Sequence, residues 1–286
     1  MNEGVVDGGL FVQSFAKGLD VLLAFDAGRT SMNLPELASA AGISKSAAQR
    51  FAFTLEALGY VTKDAESKRY SLTPRVLELG YRYLQVDRTL ERANPYLLEL
   101  NRQCGETVNI SEPDGVDMIF VGRFPGRQTM PVYMPVGRRL PMFCTAAGRA
   151  YLAALPTDAA REILQRSDRR RYSPTTVTEI PELLELLAQS RERGYSLANG
   201  EYYQGDLGIG VPIFDRMGRP IASINVSGSS TRWTLDRLQE EIAPMLMETM
   251  RLICTTPPSP KDAEPFRVGL HPQTVPGRRN AARRKT

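Results

Sequence analysis

Residues 42–74 read GISKSAAQRFAFTLEALGYVTKDAESKRYSLTP, and this segment carries the strongest structural signals in the first part of the chain. Gly42 stands where the chain must turn, and Ser44 belongs to a residue type that caps helices, so we predict a helix over about 45–58. Apolar residues at helical spacing give this helix one side that we expect to be buried, formed by Ala48, Phe51, Ala52, Leu55 and Leu58.

The other side of this helix begins with small hydroxyls, an amide and two cations, namely Ser44, Lys45, Ser46, Gln49 and Arg50. Residues 61–72 then alternate as two short strands around a polar turn at 64–67. The predicted hairpin carries three cations, which are Lys63, Lys68 and Arg69. A charged hairpin in this position is typical of a wing that touches DNA beside a recognition helix.

Two further helices are expected before this stretch. Apolar residues at helical spacing predict a helix over about 14–26, with Ser14 as its cap and Gly28 as its terminator. A second helix is predicted over about 34–41, with Pro35 in an early position. Helix, glycine-containing turn, capped helix and hairpin together predict a winged helix-turn-helix.

In a helix-turn-helix the second helix enters the major groove, and its first residues meet bases and phosphates. The hydroxyls of Ser44 and Ser46 suit phosphates. Gln49 suits adenine and Arg50 suits guanine, because each can make two hydrogen bonds to that base. The residues predicted to bind DNA are Ser14, Lys17, Ser44, Lys45, Ser46, Gln49, Arg50, Lys63, Lys68 and Arg69.

The whole chain has 286 residues, enough for two domains that each bury a core. Apolar residues make up 42% and charged residues 24%, and no apolar run is long enough for a membrane span. The N-terminus lacks the basic start and apolar core of a signal peptide, which predicts a cytoplasmic protein. Cys104, Cys144 and Cys254 stand far apart, as expected of reduced thiols and not of disulfides or a zinc site.

The net charge of +4 is concentrated at the C-terminus. Six cations lie after residue 265, so the remainder of the chain is net acidic. Any DNA contact therefore depends on local placement of charge. The basic, Pro-rich tail at 255–286 is predicted to be disordered, as is the segment 1–10. The composition of the tail is equally consistent with weak binding to phosphates and with a solubilising role.

Several classes of enzyme site are missing from the sequence. The single histidine, His271, lies in the tail, so a catalytic triad, a His-ligated metal or a His general base is not expected in the folded body. The sequence has no P-loop and no complete GxGxxG, and we predict no catalytic residue, no metal and no cofactor. Carboxylate or lysine catalysis stays open. The alternative function is therefore an enzyme or small-molecule-binding protein with a winged-helix appendage for protein contacts.

The pattern after the hairpin predicts linker helices over 74–104 and then a second domain. From Glu106 the apolar period changes to two, and strands are expected over about 107–111, 117–123, 130–135, 195–198, 208–215 and 220–227. One helix opens in the small-residue stretch after Leu140, and others are expected over about 157–166, 181–193 and 234–254. The fold class is α+β with two domains: a winged helix-turn-helix at 11–73 and an α/β domain with an antiparallel sheet at 105–254.

Three segments carry a resemblance to a known family: FVQSFAKGLDVL at 11–22, GISKS at 42–46 and YSLTPRVLELG at 70–80. In this order they resemble IclR-family transcriptional regulators, especially the subgroup that controls catabolism of aromatic acids such as protocatechuate and 4-hydroxybenzoate. The resemblance covers about residues 11–253. It implies a linker helix that helps to dimerise the DNA-binding domains, and a GAF-like sensor domain that binds a small organic-acid effector. It also implies a homodimer, or a tetramer, on a pseudo-palindromic double-stranded DNA operator of a catabolic operon.

The same resemblance implies an effector pocket between the sheet and the loops around it. Carried over by motif, the effector-binding residues are Arg123, Met130, Val132, Met134, Met142, Ala146, Ala147, Asp206, Gly208, Asn225 and Ser227. If the effector is an aromatic carboxylate, the candidates to meet it are Arg123, Arg127, Arg138 and Arg149, with Tyr202 or Tyr203 as a phenol donor.

Two positions depart from the family's pattern. Ala198 stands where the family often has an acidic residue, and Asp206 stands where it often has an apolar one. A buried carboxylate favours a hydroxyl or amine on the ligand, or a nearby arginine.

Overall fold

The computed structural model describes residues 10–127 and 134–255, and the chain divides into two compact units, Met1–Asp87 and Arg88–Thr286. The predicted linker at 74–104 is therefore split, with 74–87 in the first unit and 88–104 in the second. The predicted disordered ends lie outside the described residues, apart from Leu10 and Thr255, and so does most of the strand predicted at 130–135. Within the described ranges no helix is long and apolar enough to cross a membrane.

The first unit contains the three predicted helices, α1 (Gln13–Leu23), α2 (Leu34–Ala40) and α3 (Lys45–Ala57). Helix α2 begins with a reciprocal cap, in which the Asn33 side chain accepts from the Glu36 amide and Glu36 accepts from the Asn33 amide. The shared core of the unit consists of apolar residues from all three helices, the hairpin and the segment before α2, including Val21, Met32, Leu37, Ala52, Leu55, Val61 and Tyr70.

Both predicted ends of α1 are wrong. The helix begins after Val12 without a side-chain cap, so Ser14 lies inside its first turn. It ends at Leu23, well before Gly28. The reason is a local turn, in which the Asp26 carboxylate accepts from the Gly28 amide at 2.9 Å and pairs with Arg29.

The start of α3 is as predicted, and its end differs by one residue. Gly42 has a φ of +63°, the left-handed conformation that the turn before α3 requires. Ser44 caps the helix by accepting from the Ala47 amide at 3.3 Å. Ala48, Ala52 and Leu55 are buried, but Leu58 is 52% exposed because it follows the last helical residue.

The predicted wing is confirmed as an antiparallel pair, β1 (Val61–Lys63) and β2 (Tyr70–Leu72). Its turn is closed by the Asp64 carboxylate, which accepts from the Ser67 amide at 2.7 Å. A short 3-10 turn (Pro74–Val76) and α4 (Leu77–Val86) follow. Apolar residues of this helix are exposed in the described part of the unit, among them Leu77 at 70%.

The second unit is an antiparallel six-stranded sheet with helices on both faces, in the strand order β5-β4-β3-β8-β7-β6. Its strands are β3 (Thr107–Asp114), β4 (Asp117–Phe124), β5 (Arg139–Pro141), β6 (Ser196–Asn199), β7 (Asp206–Phe214) and β8 (Pro220–Ser229). Its helices are α5 (Arg88–Cys104), α6 (Ala146–Ala154), α7 (Thr157–Arg166), α8 (Ile180–Arg193), α9 (Leu235–Arg237) and α10 (Ala243–Thr255), with a π-helical turn (Leu238–Ile242) joining α9 to α10. These observations confirm the predicted α+β fold class.

The two faces of this sheet differ in polarity. Helices α5 and α10 pack on the face that carries Val108, Ile110, Ile209, Val211, Ile224 and Val226. Helix α6 crosses the other face, which is small or polar because side chains alternate along each strand. The small residues let backbones touch, since a Cβ at Gly148 would lie 2.2 Å from the Cα of Met142. The helix predicted in the small-residue stretch after Leu140 is confirmed as α6.

Candidate functional site

The first candidate site is the outward side of α3. Ala48 and Ala52 bury the inward side of the helix. The polar residues at its start are all exposed: Ser44, Lys45, Ser46, Gln49 and Arg50. Spacings of four residues join Lys45 to Gln49 and Ser46 to Arg50, so these four side chains share one surface of the helix.

The capped N-terminal end of α3 is suited to binding an anion. The Ser44 hydroxyl accepts a hydrogen bond from the Ala47 amide and lies 3.1 Å from the Ser46 hydroxyl. The first amides of a helix have no partner within the helix, and its dipole places partial positive charge there. This end therefore suits a phosphate group.

The wing presents two of its three cations. Lys63 is exposed, with its Nζ 5.3 Å from the centre of the Tyr70 ring. Lys68 is also exposed and has a φ of 58°, and its Nζ donates to the carbonyl of Ala65 at 2.5 Å. The hairpin tip also carries Asp64 and Glu66, so its charge is mixed.

Arg69 requires a correction. Its guanidinium donates to the Ser31 hydroxyl at 3.0 Å, to the Ser31 carbonyl at 2.7 Å and to the Glu36 carboxylate at 2.7 Å. These contacts tie the wing to the start of α2. Arg69 thus has a structural role, and we remove it from the residues expected to contact DNA.

Ser14 and Lys17 are exposed on α1, on the side of that helix that turns toward α3. A Cβ at Gly18, four residues after Ser14, would lie 3.7 Å from the Phe51 ring of α3. Phe53, which is not among the predicted site residues, is 71% exposed one turn after Gln49 on the outward side of α3. The apolar residues at helical spacing in α3 include Phe51 and not Phe53, so the sequence pattern gave no reason to single out Phe53.

The second candidate site is a cavity in the second unit, between the polar face of the sheet, the start of α6 and the segment after β6. Seven residues predicted to bind an effector line it: Met134, Ala146, Ala147, Asp206, Gly208, Asn225 and Ser227. The other lining residues are Met118, Phe120, Leu140, Cys144, Thr145, Ala198, Glu201, Tyr202 and Tyr203. Met130 and Val132 lie outside the described residues.

Met142 is not part of the cavity wall. It is fully buried in the core that joins α6, α7 and α8, where its backbone touches Gly148. Arg123 is not a lining residue either. It lies on β4 beside Asn109, with its Nη1 3.4 Å from the Asn109 Oδ1.

Two of the arginines considered for a carboxylate have other roles. Arg149 is buried and forms two hydrogen bonds of 2.5 Å with the Glu201 carboxylate, and its Nε donates to the Phe143 carbonyl at 2.8 Å. Arg127 donates to the Arg102 carbonyl at 3.3 Å. The buried ion pair of Arg149 and Glu201 helps to fix the segment after β6. The Glu201 carbonyl in the same segment also accepts a hydrogen bond from the Thr176 hydroxyl at 2.6 Å.

Aromatic side chains form one wall of the cavity. Tyr202 and Tyr203 pack edge to face with ring centres 4.7 Å apart, and Tyr172 packs on Tyr202 at the same distance. Arg138 donates to the Tyr203 hydroxyl at 3.0 Å. Burial raises the pKa of the Cys144 thiol to about 12, so this side chain is a neutral part of the wall and not a nucleophile.

The sheet side of the cavity is polar. The Oδ1 atoms of Asp206 and Asn225 are shielded from solvent and have no hydrogen-bond partner among the described residues. Burial raises the pKa of Asp206 to about 7, and the positive charge of Arg123 opposes this shift. The carboxyl group therefore changes its charge near neutral pH.

The cavity is contracted. Its free volume is about 40 Å³, which holds a few water molecules, whereas an engineered cavity that binds benzene measures roughly 150 Å³. A ring-sized ligand thus requires side chains of the wall to move. Among residues 10–127 and 134–255, no group of three or more His, Cys, Asp or Glu side chains is placed to hold a metal ion.

Comparison with known families decides the class of protein. The model of the Bacterial transcriptional regulator IclR C-terminal domain matches residues 81–255, and that of the IclR helix-turn-helix domain matches residues 14–65. The chain belongs to the IclR family.

Individual IclR-family relatives match over most of their length. The Pca regulon regulatory protein of Pseudomonas putida is 33% identical over 245 residues, which cover 85% of this chain and 84% of that protein. The regulator KdgR of Escherichia coli K12 is 34% identical over 232 residues, covering 81% and 88%. A solved transcriptional regulator from Rhodococcus sp. RHA1 is 35% identical with a TM-score of 0.74, covering 85% and 97%.

As an IclR-family member, the chain is a transcriptional regulator with a DNA-binding helix-turn-helix and a C-terminal effector domain. Its relatives are regulators and not enzymes. The α3 surface lies in the part matched to the helix-turn-helix, and the cavity lies in the part matched to the effector domain.

Proposed function

We propose that this regulator controls a catabolic operon and that its effector is a small aromatic carboxylate bound in the cavity. The observation that carries the proposal is the meeting of a helix N-terminus with an aromatic wall in one cavity. The sequence resemblance to regulators of aromatic-acid catabolism and the relative named for the Pca regulon support the same class of ligand.

The start of α6 provides the anion-binding end. Thr145 caps the helix by accepting from the Gly148 amide at 3.2 Å. Ala146 and Ala147, which follow the cap, line the cavity. Their amides belong to the first turn of the helix, where partial positive charge and unpaired N–H groups favour a carboxylate.

The remaining wall suits an aromatic ring. Phe120, Tyr202 and Tyr203 offer ring faces and edges, and Met118 and Leu140 add flexible apolar surface. Arg138, held by Tyr203, supplies positive charge near this wall and strengthens the preference for an anion.

On the DNA side, we infer that α3 reads bases with Gln49 and Arg50 and that Ser44, Lys45, Ser46 and the wing lysines contact phosphates. We further infer a homodimer on a pseudo-palindromic operator. The support is an apolar ridge at four-residue spacing, which begins just before α1 and follows the helix: among the described residues, Phe11, Phe15, Leu19 and Leu23 are 40%, 68%, 41% and 78% exposed.

The effector can alter DNA binding only by binding one arrangement of the regulator more tightly than another. The contracted cavity fits this requirement. A ring-sized ligand requires side chains of the wall to move, so it binds a wider arrangement of the cavity more tightly than a narrow one.

The test is a pair of near-isosteric ligands that differ in charge, benzoate and benzamide, added to the full chain. We expect benzoate to raise the melting temperature and to change the affinity for the DNA flanking the gene, with benzamide at least ten times weaker. A larger response to benzamide, or no response to any aromatic acid, would contradict the carboxylate assignment. Failure to bind specific DNA with or without ligand would favour the alternative, a small-molecule-binding protein with an appended winged helix.

A further inference from the structure

The sheet side of the cavity contains more buried polar atoms than its neighbours satisfy. Asp206 and Asn225 line the cavity, and the Oδ1 atom of each is shielded from solvent without a partner among the described residues. Asn225 as a whole is 6% exposed. A buried acceptor left without a hydrogen bond is unfavourable, so a ligand that donates a hydrogen bond here is favoured over one that cannot.

The same pattern continues deeper along this face. Ser111 and Ser223 pair across β3 and β8, are fully buried, and have hydroxyl oxygens that find no partner in the described part of the chain. Asn109 and Asn225 pair two positions further along the same strands. The polar face is thus a continuous feature of the sheet and not a single misplaced side chain.

Asp206 lies at a fixed distance from the anion-binding end. A Cβ at Gly208 would lie 3.0 Å from the Ala146 Cβ, which places Gly208 directly under the start of α6. Asp206 precedes Gly208 by two residues on β7 and faces the same side, at about 7 Å along the strand. A ligand that reaches both the start of α6 and Asp206 must therefore carry its two polar groups on different sides.

We propose that Asp206 selects effectors that carry a hydroxyl group on the side opposite their carboxylate, by accepting a hydrogen bond from that hydroxyl. This inference rests on the proposed binding of the carboxylate at α6. A hydroxyl fits better than an ammonium group, because the positive charge of Arg123 already acts on Asp206 and would repel a second cation.

The test compares 4-hydroxybenzoate with 4-fluorobenzoate, which has nearly the same shape but cannot donate. Binding to the full chain is measured by calorimetry and by the emission of Trp233, the single tryptophan, which packs against Gly228 next to the cavity residue Ser227. The wild type is expected to bind the hydroxy acid at least ten-fold more tightly. Asp206→Leu is expected to reduce this preference to within two-fold, whereas Asp206→Asn, which keeps an acceptor oxygen, retains most of it.

Asp158→Asn removes a carboxylate from the exposed first turn of α7 and serves as the matched control, with the wild-type preference. If the Asp206→Leu variant does not fold, Asp206→Ala takes its place and is expected to reduce the preference for the hydroxy acid to the same extent. A preference that survives in Asp206→Leu or Asp206→Ala overturns the inference. Equal binding of both acids to the wild type also overturns it but leaves the carboxylate proposal standing. If neither acid binds, the carboxylate proposal fails and this inference fails with it.

Discussion

At the scale of single residues, Asp206 gives the clearest thermodynamic signature. Its pKa in the folded protein is about 7 because burial disfavours the charged form, compared with an ordinary value of 3.8. A raised folded-state pKa adds stability that is complete below about pH 4 and is lost as the pH rises through about 7.

Asp206→Asn should therefore change the pH dependence of stability. Between about pH 4 and pH 8, we expect the free energy of unfolding of the wild type to fall relative to that of the variant by about 2–4 kcal/mol. Chemical denaturation at a series of pH values measures this difference. Asp158→Asn should follow the wild type, and parallel profiles for wild type and Asp206→Asn would show that the carboxyl group is not buried as described.

Residue roles that depend on distant partners could not be predicted from the sequence. Arg69 looks like a wing cation until Ser31 and Glu36, more than thirty residues away, are seen to hold it. Arg149 looks like a ligand for a carboxylate until Glu201 is seen beside it. Both errors have one cause, because local sequence does not reveal which acid will neutralise a cation.

At the scale of elements, local signals were sufficient wherever caps and apolar periods agreed. Ser44, Gly42 and the apolar side of α3 fixed that helix to within one residue, and the helix at 157–166 has its predicted bounds. These local signals did not predict the end of α1, because a turn closed by the Asp26 side chain follows the helix earlier than expected. They also gave no indication that apolar residues of α4 are exposed in the unit.

The exposed ridge of α1 leads to a prediction about assembly. Phe15→Gln combined with Leu23→Gln removes the two most exposed apolar groups at the centre and end of the ridge. We expect the dimer dissociation constant to rise at least ten-fold, about 1.4 kcal/mol, with unchanged helix content. Sedimentation equilibrium measures the change.

Phe53→Gln is the matched control, because Phe53 is equally exposed but lies on the outward side of α3. It should leave the dimer unchanged. A monomeric wild type at micromolar concentration, or a double variant that dimerises as tightly as the wild type, would contradict the assignment of this ridge to the dimer interface.

At the scale of the whole molecule, DNA reading and effector binding lie in separate compact units, residues 10–87 and 88–255. The order of the elements and the fold class followed from the sequence because each unit has its own periodicity, helical in the first and alternating in much of the second. The outline of the cavity came from resemblance. Its contracted volume and its unpaired acceptors could be found only in the structure, because they depend on packing between α6 and the sheet.

We infer that the outward side of α3 reads DNA sequence. The most direct measurement is the affinity of the full chain for its operator and for a scrambled duplex of equal length, at several salt concentrations, with Arg50→Ala compared with Arg69→Met. Loss of two hydrogen bonds to guanine should weaken operator binding by Arg50→Ala about 10- to 100-fold and scrambled binding by no more than about three-fold. Arg69→Met removes the same charge from a structural contact and should not reduce the preference for the operator. Equal loss on both duplexes for Arg50→Ala, or no loss on either, would contradict the account.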